Sequence, residues 1–170
     1  MGNVLYELNF DWRESFGLIT PLVLSLMSFF IYKWYPAQNP GVDRKGYKGY
    51  VFAKWMGWIV GVFVFCLFIL ITAAHITDYQ EKIDILQNNQ AKVVEGIVEK
   101  YHAMPREGHD SEHFEINGIY FEYSNFETIN GYNTPACRGG VIKENGQHLK
   151  IKYVEEEFEN NVILYIEEIK

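Results

Sequence analysis

Residues 55–74 run for 20 consecutive positions without a charge, between Lys54 and His75. As a helix rising about 1.5 Å per residue, such a run matches the ~30 Å hydrocarbon core of a bilayer. A soluble domain in a chain of 170 residues has little interior in which to hide it. A shorter run, residues 16–32, holds 17 uncharged positions, close to the minimum for a spanning helix. Trp12 precedes it and Trp34 and Tyr35 follow it, where interfacial aromatics belong. Ser15 is placed to cap its start, and Pro21 falls early, where a bilayer helix tolerates it best. The expectation is a membrane α-hairpin of two transmembrane helices, 16–35 and 55–75. A cleavable signal peptide fits the first run poorly. Its flank, with Glu7, Asp11, Arg13 and Glu14, lacks a basic n-region, and Tyr32-Lys33 is no cleavage site.

Charge sets the expected orientation. The connecting segment 36–54 and its borders carry Lys33, Arg44, Lys45, Lys48 and Lys54 against Asp43 alone. The positive-inside rule places this segment in the cytoplasm, and both termini outside an inner membrane that the chain crosses more than once. Within the second run, Gly57 and Gly61 form a small-xxx-small pair that lets another helix approach closely. That face serves either packing against the first helix or homo-oligomerisation through the second.

From residue 76 onward the chain holds 9 Lys+Arg against 18 Asp+Glu. A surface of that sign repels phosphate backbones, which excludes nucleic acid as a partner. Ile76, Tyr79, Ile83 and Leu86 recur with helical spacing, so residues 76–90 read as a helical stalk that lies on the following domain or on a partner helix. The period then changes to two. Residues 91–101 read as a long strand, with Gly96 as its bulge or bend. Residues 113–116 and 119–123 flank Asn117-Gly118, a strong hairpin signal. Residues 149–154 and 161–169 complete a domain, 91–170, expected to be a roughly five-stranded OB or SH3-like barrel or curled sheet. Residues 1–15 are left as a flank. The connections 102–112 and 124–147 are long for such a fold, as functional loops often are.

The one cluster with the chemistry of a metal or acid–base site is His109, Asp110, Glu112 and His113, with His102 nearby in sequence. Imidazole and carboxylate are zinc ligands, and the histidines titrate near neutral pH. The competing reading is polar loop residues, because no helical spacing presents His109 and His113 together. No metal is assigned. Glycine-flanked serine, phosphate-loop and His-Glu-x-x-His motifs are all missing, so the expectation is a non-enzyme without cofactor. Cys66 lies in the apolar run and Cys137 in a polar loop, which rules against a bond between them.

Val94-Glu-Gly-Ile-Val98, Phe114-x-Ile-Asn-Gly-x-x-Phe-x-Tyr-Ser124 and Gly146-Gln-x-x-Lys-Ile-Lys-Tyr153 resemble an uncharacterised β domain of small bacterial membrane proteins. That likeness covers somewhat under half the chain and implies a fold without an assigned activity. The layout also resembles two-helix membrane effectors of bacterial antiphage systems, including those of the retron type. The resemblance implies a membrane-disrupting effector or sensor acting on the lipid bilayer. The other expectation is an envelope binding or immunity module whose β domain captures a protein or small ligand.

Overall fold

The computed structural model describes residues 2–9, 19–34, 44–107, 110–126, 129–156 and 161–169. It divides into two compact units: Met1–Phe10 with Asp78–Lys170, and Asp11–Thr77 between them. The helical unit is therefore an insertion into the sequence of the β domain, placed after its first strand.

The first unit is a six-stranded antiparallel sheet in the order β1-β6-β5-β2-β3-β4. Its strands are β1 (Asn3–Glu7), β2 (Lys92–His102), β3 (Glu112–Ile116), β4 (Ile119–Tyr123), β5 (His148–Val154) and β6 (Val162–Glu168). Asn117 and Gly118 both take positive φ, 51° and 79°, as a two-residue hairpin turn requires, and join β3 to β4. Inside β3 the period-two rule sends Glu112, Phe114 and Ile116 into the core and leaves His113 and Glu115 partly exposed. The inner core gathers Val98, Phe114, Phe121, Ile142, Ile151 and Ile166. The unbroken apolar run of β6 is buried on both faces. Ile163 and Ile166 join the inner core, while Val162 and Leu164 face Leu8 and Leu86 in a second cluster. The sheet curls until its edge strands share a neighbour. Tyr6 of β1 and Tyr123 of β4 each pack edge-on to Tyr132, with ring centroids 5.0 Å apart.

The second unit holds α1 (Ile19–Trp34) and most of α2 (Arg44–Gln87). The final turns of α2, from Asp78, belong to the sheet unit. There Tyr79, Ile83, Ile85 and Leu86 pack with Val154, Val162 and Leu164. The helix stops in a Schellman arrangement: Asn89 takes φ 53°, and the Gln90 N–H donates to the Ile85 carbonyl at 2.9 Å.

Four expectations need correction. First, two transmembrane helices are not shown: among the described residues one helix, Trp55–Gln87 within α2, is long and apolar enough to cross a membrane. Among the described residues α1 spans 16, about 24 Å at the usual rise, against a ~30 Å core. Second, where a roughly five-stranded barrel or curled sheet is expected, the domain is a sheet of six strands with two edges, because β1 from the supposed flank pairs with β6. Third, residues 44–54 are the start of α2 and not part of a loop; the last proline before them, Pro40, lies upstream of Arg44. Fourth, Gly96 sits in regular register opposite Leu149. It makes room for the Asn117 amide, which donates to the Glu95 carbonyl at 2.8 Å, and a Cβ at Gly96 would collide with that amide. The irregularity in β2 lies further on, between Glu99 and His102, where Lys100 takes φ 52°.

Candidate functional site

Strand alternation splits the predicted His/Asp/Glu cluster between two faces of the sheet. On the outer face, the irregularity at Lys100 sets His102 opposite His113. Their imidazoles stack with centroids 4.6 Å apart and planes 14° from parallel. His102 Nε2 lies 2.8 Å from Asp110 Oδ2, and Asp110 Oδ1 accepts the Ser111 N–H at 2.8 Å. The His102 hydrogen bond, followed by that of Ser111, holds the Asp110 carboxyl below its ordinary range. His113 also meets the Tyr120 ring at 5.7 Å. The Tyr120 hydroxyl donates to Glu122 Oε2 at 2.9 Å, and Ser111 donates to the other oxygen of that carboxylate. Burial and then the Glu122 hydrogen bond push the Tyr120 hydroxyl up to about 12.

Glu112 turns the other way and is fully buried. Its Oε1 accepts the Tyr123 hydroxyl at 2.6 Å and its Oε2 accepts the Ala136 N–H at 2.9 Å. Burial first, then the neighbouring charges, drives the Tyr123 hydroxyl far above its ordinary value, and burial with the Glu112 charge does the same to Tyr101. Nearby, the Tyr132 hydroxyl accepts the Val141 N–H at 2.6 Å, and Gly140 packs so tightly that a Cβ would strike the Thr134 carbonyl. Glu112 and Tyr132 thus pin the long β4–β5 loop to the core. A buried carboxylate occupied by a hydroxyl and a backbone amide serves as a staple for that loop.

Asp110 and His113 therefore share a surface that Glu112 does not reach, and His109 lies outside the described residues. Among the described residues no group of three or more His, Cys, Asp or Glu side chains converges as a metal site would. Cys66 and Cys137 are free thiols.

In the helical unit, Gly61 is the point of close approach. Ser25 Oγ donates to its carbonyl at 3.2 Å, and a Cβ there would meet the Ser28 Cβ at 3.1 Å. Gly57 is looser, with only the Ser28 carbonyl at 3.9 Å. A cavity of about 160 Å³ opens beside it, lined by Phe29, Trp58 and Phe65. Sequence reasoning missed a further group, Asp78, Lys82, Asn130 and Glu156, which meets where the end of α2 lies on the sheet. The one available signal was a lysine inside the stripe of Tyr79, Ile83 and Leu86. Set against known protein families, curated proteins and solved structures, the chain matches none.

Proposed function

We propose that this chain is a non-enzymatic, membrane-anchored binding module: the apolar part of α2 up to Thr77 lies in a bilayer, and the acidic β domain is displayed at its surface. The observation that carries this reading is exposure. Only 6% of the most apolar window of α2 is buried, and Phe63, Leu70 and Ile71 point away from the protein. Apolar area left in water costs roughly 25 cal/mol per Å², and patches of this extent belong in lipid or against a partner. Both ends of the helical unit join the sheet unit, so under this reading both emerge on one face of the bilayer. The aromatic and polar surface of His102, His113 and Tyr120 is suited to a protein partner.

A membrane-disrupting effector needs helices free to assemble. Ser28 of the same chain already occupies the close approach at Gly61, which favours anchoring over assembly. Alkaline carbonate washing of membranes tests the anchor, and the full chain is expected to stay in the pellet. Replacing residues 11–77 with a flexible linker should release a folded domain into the soluble fraction. The linker must leave residues 1–10 in place, because they carry β1. Single cysteines at Val4→Cys and Val93→Cys, with Cys66 and Cys137 changed to Ser, should both react with an impermeant thiol reagent from the same side. Extraction of the full chain by carbonate would overturn the proposal.

A further inference from the structure

Lys82 lies within the apolar contact between the last turns of α2 and the sheet, with its side chain only 5% exposed. Its Nζ is 3.1 Å from Asp78 Oδ2, one turn earlier, and 2.6 Å from Glu156 Oε1, just beyond β5. Asp78 Oδ2 also accepts a hydrogen bond from the side-chain amide of Asn130, on the β4–β5 loop. One buried ammonium and its partners therefore tie together three segments far apart in sequence. Beside them lies a polar cavity of about 220 Å³ bordered by Glu81, Ile85 and Glu155. The helix end is thus not sealed against the sheet by close packing alone. An apolar side chain in place of Lys82 would hold that contact unconditionally, whereas a buried ammonium held by two partly exposed carboxylates depends on those partners staying in place. Loss of Glu156 leaves the buried ammonium with Asp78 as its one carboxylate, and opening the contact to water makes up the shortfall.

We infer that Asp78, Lys82, Asn130 and Glu156 form a latch: with both loops seated it clamps residues 78–87 to the sheet, and displacement of either loop releases those turns. The device couples the two loops of the domain to the end of the long helix. It does not rest on the membrane reading, since every residue involved belongs to the sheet unit.

Hydrogen exchange on the full chain in detergent micelles tests it. Glu156→Gln and Asn130→Ser, neither of them on the helix, should each speed exchange of the amides in residues 78–87 by about tenfold or more. Amides in the β2–β5 ladder should keep their protection. Adding Lys82→Met to the Glu156→Gln chain should restore protection of residues 78–87, because no buried ammonium is then left short of its second carboxylate. Unchanged exchange in both loop variants overturns the latch. So does parallel loss of protection in β2 and β5, which would make the cluster a determinant of global stability, and so does failure of Lys82→Met to rescue.

Discussion

Along α2, Phe63 and Leu70 are about two-thirds exposed, at 63% and 65%, whereas Lys82 is 4% exposed and Leu86 8%. The same helix thus exposes its apolar side chains in one stretch and buries an ammonium in the next. Composition accounts for the inversion. Residues 55–74 are apolar in every direction, so no single neighbour could cover them; the later turns carry a stripe of Tyr79, Ile83 and Leu86 that one sheet face covers. The contrast teaches that burial inside the protein is the wrong measure for the first stretch, whose surroundings are set by what solvates it. The second stretch follows the ordinary rules of a domain in water.

The largest test of this contrast is a matched pair of truncations. Leu164→Ala, in the cluster that receives the helix end, should cost the sheet unit about 2–5 kcal/mol, whereas Leu70→Ala should change it by less than ~0.5 kcal/mol. Urea denaturation followed by circular dichroism measures both, and equal losses would break the comparison. Next comes a charge in the first stretch. Leu67→Arg should disfavour insertion by about 3 kcal/mol and lower the carbonate-resistant fraction. An arginine in place of Leu86 should instead loosen the domain and leave insertion intact.

Smaller effects belong to exposed pairs. Lys92 and Glu155 meet with side chains 55% and 57% exposed, so Glu155→Gln should barely move the midpoint of the same denaturation, and less still at high salt. Its neighbour Glu156 is the sharper control, because it faces the buried Lys82. Asp110 gives the faintest signal. Its carboxyl is depressed by His102, so the stabilisation it supplies is present above its ordinary value near 3.8 and fades as pH falls through the lowered one. Denaturation midpoints of Asp110→Asn and the parent chain should differ slightly at neutral pH and converge in strong acid.

Local signals in the sequence led to local structure. Asn117-Gly118 marked the β3–β4 hairpin because only a turn with positive φ at both positions asks for that pair, and alternation in residues 149–154 marked β5. The strand β1 escaped because it is five residues long and its partner β6 lies at the far end of the sequence, with no turn between them to announce the pairing. At the candidate site, nearness in sequence misled. Asp110, Glu112 and His113 are neighbours along the chain, yet a period of two sends Glu112 to Tyr123 and leaves His113 beside His102. Nothing in the turn around Lys82 shows that Glu156 waits across the contact.

The pairing of β1 with β6 also sets an order of events during synthesis. The segment β1 leaves the ribosome roughly 155 residues before β6, a wait on the order of ten seconds or more at usual translation rates. Between the two, the apolar run of α2 is made and must choose its surroundings. A nascent chain that strands β1 on the opposite side of a bilayer from β6 can never complete its sheet. Under the proposed membrane reading, closure of the last strand onto the first would therefore accept only molecules that keep β1 and β6 on one side of the bilayer.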